Sequence, residues 1–234
     1  MADIKGILFD KDGTLVDFQA TWYAIGDLMA LQAAAGDRTH ADDLMARAGY
    51  DYVNHRFRAD SVFAAGTNAD IVALWYPGLD DAGRQAMTRH FDTFTAAEGA
   101  RQSVALAGCR EAIAELHRRG YRLGIATNDS TSGAEQTLAA LGMSAMFDAA
   151  YGYDAVANPK PAPDAVLAFA DLTGLKPSQI AMVGDNRHDL EMARAGGVGL
   201  AVGVLSGTGT QETLSRLADV ILGSVAELPG FLDR

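Results

Sequence analysis

The chain of 234 residues holds a single cysteine, Cys109, so no disulfide can form within it and the sequence reads as a protein of a reducing compartment. Long apolar runs are missing as well: no window approaches the roughly 20 residues of a membrane span. The opening MADIKGILFDKDG lacks an apolar stretch of signal-peptide length, which makes a cytoplasmic protein the expectation. Positive charge is in short supply, with 19 Lys+Arg against 30 Asp+Glu and a formal net charge of −11. Nucleic acid and anionic membrane both need clustered Lys and Arg to displace counterions or meet head groups, so neither is an expected partner. Lysine is scarcest of all: Lys5, Lys11, Lys160 and Lys176 are the whole set. A 49% hydrophobic content excludes disorder, and the length suits one large domain or a domain carrying a smaller insert.

Short apolar runs end in polar or glycine residues at Gly6 to Phe9, Leu123 to Ala126, Ile180 to Val183 and Gly199 to Val204, with weaker candidates at Ala149 to Tyr151 and Asp219 to Leu222. Such runs read as buried parallel strands, apolar on both faces. Helical patterns lie between them, at Arg110 to Arg119, Ser132 to Leu141, Asp164 to Leu172 and His188 to Ala195. The alternation predicts an α/β fold, a Rossmann-like parallel sheet with helices on both faces, whose ligand sits beyond the carboxyl ends of the strands. One interval breaks it. From Phe18 to about Gly99 no convincing strand occurs, and the spacing predicts helices near Gln19 to Ala34, Asp42 to Ala48, Asp70 to Trp75 and Asp81 to Ala97. Thr39 to Asp42 has the spacing of a capping box, and Gly99 to Leu106 reads as the return linker. The expected organisation is a core of residues 1–17 and 100–234 with an α-helical insert of residues 18–99 after the first strand.

The acids are concentrated where the strands end. In ILFDKDGTLVD, Asp10 and Asp12 lie two apart, and the strand period of two would aim both carboxylates the same way. Taken alone, that string also fits a surface turn. The same period would turn the intervening Lys11 away from both, to a peripheral position. In VGDNRHDLEMARAG, Asp185 and Asp189 lie four apart, on one face of an incipient helix, where capping explains one acid but not both. Four acids at strand ends of one sheet call for a hard divalent cation such as Mg²⁺. Thr127-Asn128 offers hydroxyl, amide and backbone N–H donors for phosphate oxygens, and Lys160 stands as a lone cation among Pro159, Pro161 and Pro163.

In this order, Asp-x-Asp-Gly-Thr-Leu, Thr-Asn, Lys-Pro and Gly-Asp-x-x-x-Asp, the chain resembles the haloacid dehalogenase superfamily of aspartate-nucleophile hydrolases, and within it the phosphoglycolate phosphatases most. The insert is similar to that superfamily's helical cap. The resemblance implies that Asp10 attacks phosphorus to give an aspartyl-phosphate, and that Asp12 protonates the leaving oxygen and later deprotonates water. It implies Mg²⁺ on the Asp10 carboxylate, the Asp12 backbone carbonyl and Asp185, with Asp189 in support, and a phosphoryl group held by Thr127, Asn128 and Lys160. The implied partner is a small phosphorylated metabolite, and the implied enzyme a phosphoric monoester hydrolase, monomeric or homodimeric.

Other readings are separable. The superfamily's dehalogenases lack the second aspartate and the metal, and its phosphonatases use a cap lysine, whereas no lysine lies between Phe18 and Gly99. A phosphomutase of the β-phosphoglucomutase type shares Asp10 and Asp12 and is the runner-up. A non-catalytic relative that binds a phosphorylated metabolite is the reading from another class. For substrate contact in the cap, His55, Arg56 and Arg58 are the candidates, while Trp22, Tyr23, Trp75, Tyr76, Phe91 and Phe94 read as the cap's own small core.

Overall fold

The computed structural model describes residues 3–233. The chain opens with β1 (Gly6–Phe9) and then runs through α1 (Phe18–Ala33), α2 (Arg38–Ala48), β2 (Tyr50–Asp51), β3 (Arg56–Phe57), α3 (Val62–Ala65), α4 (Asn68–Trp75) and α5 (Asp81–Gln102). It continues with α6 (Cys109–Arg118), β4 (Arg122–Ala126), α7 (Thr131–Ala140), β5 (Ala149–Tyr151), α8 (Asp164–Thr173), β6 (Ile180–Gly184) and α9 (Arg187–Gly196). The last elements are β7 (Leu200–Val204), α10 (Gln211–Leu214), β8 (Val220–Leu222) and α11 (Leu228–Phe231).

Six strands form one sheet in the order β5-β4-β1-β6-β7-β8, and every pair is parallel. Its two faces bury different side chains of the same strands. Ile7, Phe9, Leu123, Ile125 and Val183 pack with Ile113, Leu116 and Leu138 on one face, while Leu8, Ala126 and Met182 pack with Val166, Phe169 and Leu190 on the other. This two-sided burial is why the strands read as continuous apolar runs. With β1 central, Phe9 is in register with Ile125 of β4 and Val183 of β6, so the loops after these three strands meet at one level.

The helices α1, α2, α4 and α5 enclose a separate apolar cluster that includes Trp22, Ile25, Met29, Leu44, Met45, Trp75 and Phe91. Two expectations for this insert need correcting. Its sequence is not wholly helical, because β2 and β3 pair as a short antiparallel ribbon. The cap of α2 is Asp37, which accepts the His40 N–H at 3.1 Å, rather than Thr39. In addition, α5 runs through Gln102 and so absorbs the first part of the expected linker. The two connections to the core lie side by side: the Asp17 N–H donates to Val104 O at 2.8 Å, and Val16 forms an antiparallel bridge with Ala105.

Candidate active site

Asp10 follows β1 directly, and its N–H donates to Val183 O at 2.8 Å, which holds the start of the loop level with β6. The turn that follows is closed by Leu15 and Val16 N–H groups on Lys11 O. Gly13 is required in it: φ is +88°, and a Cβ there would lie 2.7 Å from the Asp185 carboxylate. Asp185 follows β6 directly, accepting the Thr208 backbone N–H at 2.7 Å. Asn186, not Asp185, caps α9, and the Asp189 carboxylate accepts the Asn186 N–H at 2.9 Å to complete a capping box.

These loops place ligand atoms of Asp10, Asp185 and Asp189 within 4.8 Å of one another, all buried. Lys160 reaches in from the loop before α8, and its Nζ donates to Asp10 Oδ1 and Asp189 Oδ1, each at 2.6 Å. One ammonium facing three carboxylates leaves the group short of positive charge. Burial, together with repulsion from its neighbours and against the pull of Lys160, therefore raises the Asp10 carboxyl well above the usual carboxylate range. Burial and the Asp189 charge push Asp185 up to about 7, against the hydrogen bonds from Thr208 and the Lys160 charge. A compact, buried, all-oxygen acidic set of this kind fits a hard divalent cation.

The pairing of Lys11 corrects the sequence reading. The strand ends at Phe9, so its alternation does not extend to Lys11, and the turn folds the side chain inward to 1% exposure. Lys11 Nζ lies 2.6 Å from Asp12 Oδ2 and 3.1 Å from Asp129 Oδ2. Burial pulls the ammonium down, but the two carboxylates more than offset it and raise it. Asp129 is nevertheless raised by burial and by Asp12, since one lysine serves two acids. Lys11→Met, which keeps the bulk and removes the charge, leaves the partly buried Asp12 and Asp129 without their counter-ion and is expected to cost about 3 kcal/mol, the lower end of the penalty for breaking a buried pair. A urea midpoint within error of the native protein's would refute this.

The cavity over the acids is lined from the core by Asp10, Asp12, Thr127, Asn128, Asp129, Lys160, Asp185, Asn186, His188 and Asp189. From the insert come Phe18, Trp22, Phe63, Ala64, Ala65, Gly66, Thr67, Asn68 and Ile71. The structure thus brings together Asp10, Asp12, Thr127, Asn128, Lys160, Asp185 and Asp189. It does not bring in His55, Arg56 and Arg58. These lie exposed on or beside the β2–β3 ribbon, outside the cavity, with Arg58 Nη2 donating to Ala46 O at 3.0 Å. Thr127 Oγ1 accepts the Asp129 N–H at 3.1 Å, which leaves its own hydrogen free to donate. The Asn128 amide is committed elsewhere, to Ala65 O at 2.8 Å and Lys160 O at 3.2 Å, so its side chain ties insert to core.

Sequence reasoning missed Trp22, Phe63, Asn68 and His188. Trp22 does belong to the insert core, but its indole N–H also donates to Asp12 Oδ1 at 2.7 Å. Tyr23 departs from the expected core, being 39% exposed. His188 lies inside the Gly-Asp-x-x-x-Asp string and was findable there. Its Nδ1 is 3.3 Å from Ala65 O, which assigns that nitrogen the proton.

A model of haloacid dehalogenase-like hydrolases matches residues 4–197, and the chain belongs to that family. It is 31% identical over 245 residues to the phosphoglycolate phosphatase of Shigella boydii serotype 4 (strain Sb227), covering 97% of this chain and 91% of the relative. To the phosphoglycolate phosphatase of Escherichia coli (strain K12) it is 30% identical over 240 residues, with the same coverage. Among solved structures, a predicted phosphoglycolate phosphatase from Haemophilus somnus 129pt superposes with a TM-score of 0.75 at 24% identity, covering 99% of each chain. Among the described residues, no helix is long and apolar enough to cross a membrane.

Proposed function

We propose that this hydrolase is a Mg²⁺-dependent phosphatase that cleaves a small phosphomonoester through an aspartyl-phosphate on Asp10. The observation that carries the reading is the Asp10 carboxylate at the floor of the cavity, held at 2.6 Å by Lys160 and neighboured by Asp12. Asp10 forms the bond to phosphorus while Asp12 gives a proton to the departing alcohol oxygen. Asp12 then takes a proton from the water that displaces the Asp10 carboxylate. Lys160 and the Thr127 hydroxyl face the phosphoryl oxygens, whose charge is what such a site must neutralise. Asp10, the Asp12 backbone carbonyl and Asp185 would hold Mg²⁺, with Asp189 in support. When bound, the cation supplies the remaining positive charge against the phosphoryl group.

The cavity measures about 70 Å³, room for about five to seven waters at roughly 10–15 Å³ each, which suits a small substrate. Phosphoglycolate is the substrate class the curated relatives carry in their names. The insert lines the cavity with Phe18, Trp22, Phe63, Ile71 and Asn68, and His188 joins them from the core beside the acids. The test is a screen of purified protein with Mg²⁺ against phosphoglycolate, sugar phosphates, nucleotides and pyrophosphate. Release of phosphate from the smallest phosphomonoesters, with nucleotides the poorest, is expected. An isomerised product without phosphate release would make the protein a mutase, and no turnover of any compound would leave it a binding protein.

A further inference from the structure

Asp12 is held from two sides by two parts of the molecule. Oδ2 takes the Lys11 ammonium, which is anchored in turn on Asp129 within the core. Oδ1 takes the Trp22 indole N–H from α1. The Trp22 ring lies edge-on to Phe63 with centroids 6.2 Å apart, and Lys11 Nζ sits 5.2 Å from its own centroid, within cation–π range. Among the described residues, Trp22 is the one side chain of the insert that hydrogen-bonds to Asp10, Asp12, Asp185 or Asp189.

We propose that Trp22 is a positioning residue for Asp12, one that ties the aim of this carboxyl group to the seating of the insert over the cavity. The inference rests on the reading of Asp12 as the acid and base. A carboxylate oxygen has two lone-pair directions. With Lys11 on Oδ2 and the indole on one side of Oδ1, the remaining direction of Oδ1 is fixed, and it is along that direction that the acid's proton is given and taken. As the Asp10 oxygen bonds to phosphorus and the ester P–O bond breaks, this proton passes to the departing oxygen. In the second half, the same oxygen takes a proton from water as the Asp10–phosphorus bond breaks. With the insert lifted, Lys11 still holds Oδ2, but Oδ1 is free to turn.

The experiment compares phenyl phosphate with p-nitrophenyl phosphate, which have similar bulk but different need for a proton on the departing oxygen. Trp22→Phe keeps the ring and removes the donor. Its rate of phenyl phosphate cleavage relative to p-nitrophenyl phosphate is expected to fall on the order of tenfold, a part of the 10²- to 10⁴-fold that a positioned acid contributes. An equal loss on both esters would mean a packing role only and would overturn the proposal. Asp12→Asn, assayed in parallel, separates the two claims: if it leaves the ratio unchanged, the acid reading fails, and if it alone lowers the ratio, the Trp22 proposal fails. Should Trp22→Phe not fold, Trp22→Met, which also removes the donor and keeps an apolar side chain, decides the matter. A ratio lowered toward that of Asp12→Asn supports the proposal, and a near-native ratio overturns it.

Discussion

Asp10→Asn is expected to abolish turnover, by on the order of 10⁴-fold or more, the scale on which removing a nucleophile acts. An amide fills the same space at the end of β1 but cannot attack phosphorus. The fold should survive, since Asp10 is one of three buried acids crowded around one lysine, and removing its charge relieves repulsion rather than breaking a well-matched pair. Phosphate release gives the rate, and acid quenching followed by mass measurement looks for the phosphorylated chain. Native protein should yield the adduct and the variant should not. Turnover by the variant at a tenth of the native rate or better would remove Asp10 as the nucleophile.

Chelation of Mg²⁺ is expected to silence the enzyme at every pH, and the response of the metal-free protein to pH gives an independent check. Asp185, pushed up to about 7 from the ordinary carboxylate range, binds its proton more tightly in the folded chain than in the unfolded one. Between about pH 4 and 7 the folded state therefore carries more protons, and stability falls as pH rises through that window. A shift of this size corresponds to a few kcal/mol at roughly 1.4 kcal/mol per unit. Added Mg²⁺ should stabilise the protein most above pH 7, where Asp185 is ionised without it, and least near pH 5, where the cation must displace a proton. Thermal melts with and without Mg²⁺ at pH 5, 6, 7 and 8 measure this. A Mg²⁺-induced rise in Tm as large at pH 5 as at pH 8 would contradict it, and full activity after chelation would contradict the metal assignment itself.

The core was legible because its signals are local. A strand buried on both faces shows as an unbroken apolar run, and the runs at Gly6–Phe9 and Ala149–Tyr151 carry the observed bounds. The acids at strand ends could be grouped because parallel topology brings such ends together, whatever the strand order. What failed depended on contacts distant in sequence or on competition between neighbours. Asp37 and Thr39 both offer a helix cap, and the capping-box spacing of Thr39 with Asp42 competes with the stronger intrinsic capping of Asp37. Lys11 was misjudged because strand periodicity was carried past the point where the strand stops. Arg56 and Arg58 are ordinary exposed arginines, and nothing in their spacing says that they lie outside the cavity. Trp22 is insert core, as the sequence suggests, but its bond to Asp12 spans the gap between two packed units and has no local signal.

The paired connections between insert and core have a mechanical consequence. A lid on a single strand could swivel in any direction, but here Val16 and Asp17 run alongside Val104 and Ala105 as a two-railed strip. Such a strip constrains twisting more than a single connection would, so the seating of the insert is set by main-chain bonds as well as by its side chains. Phe18 begins α1 directly after this strip, so the insert's aromatic lining is held at a fixed remove from the turn that carries Asp10 and Asp12, without any contact made by the substrate.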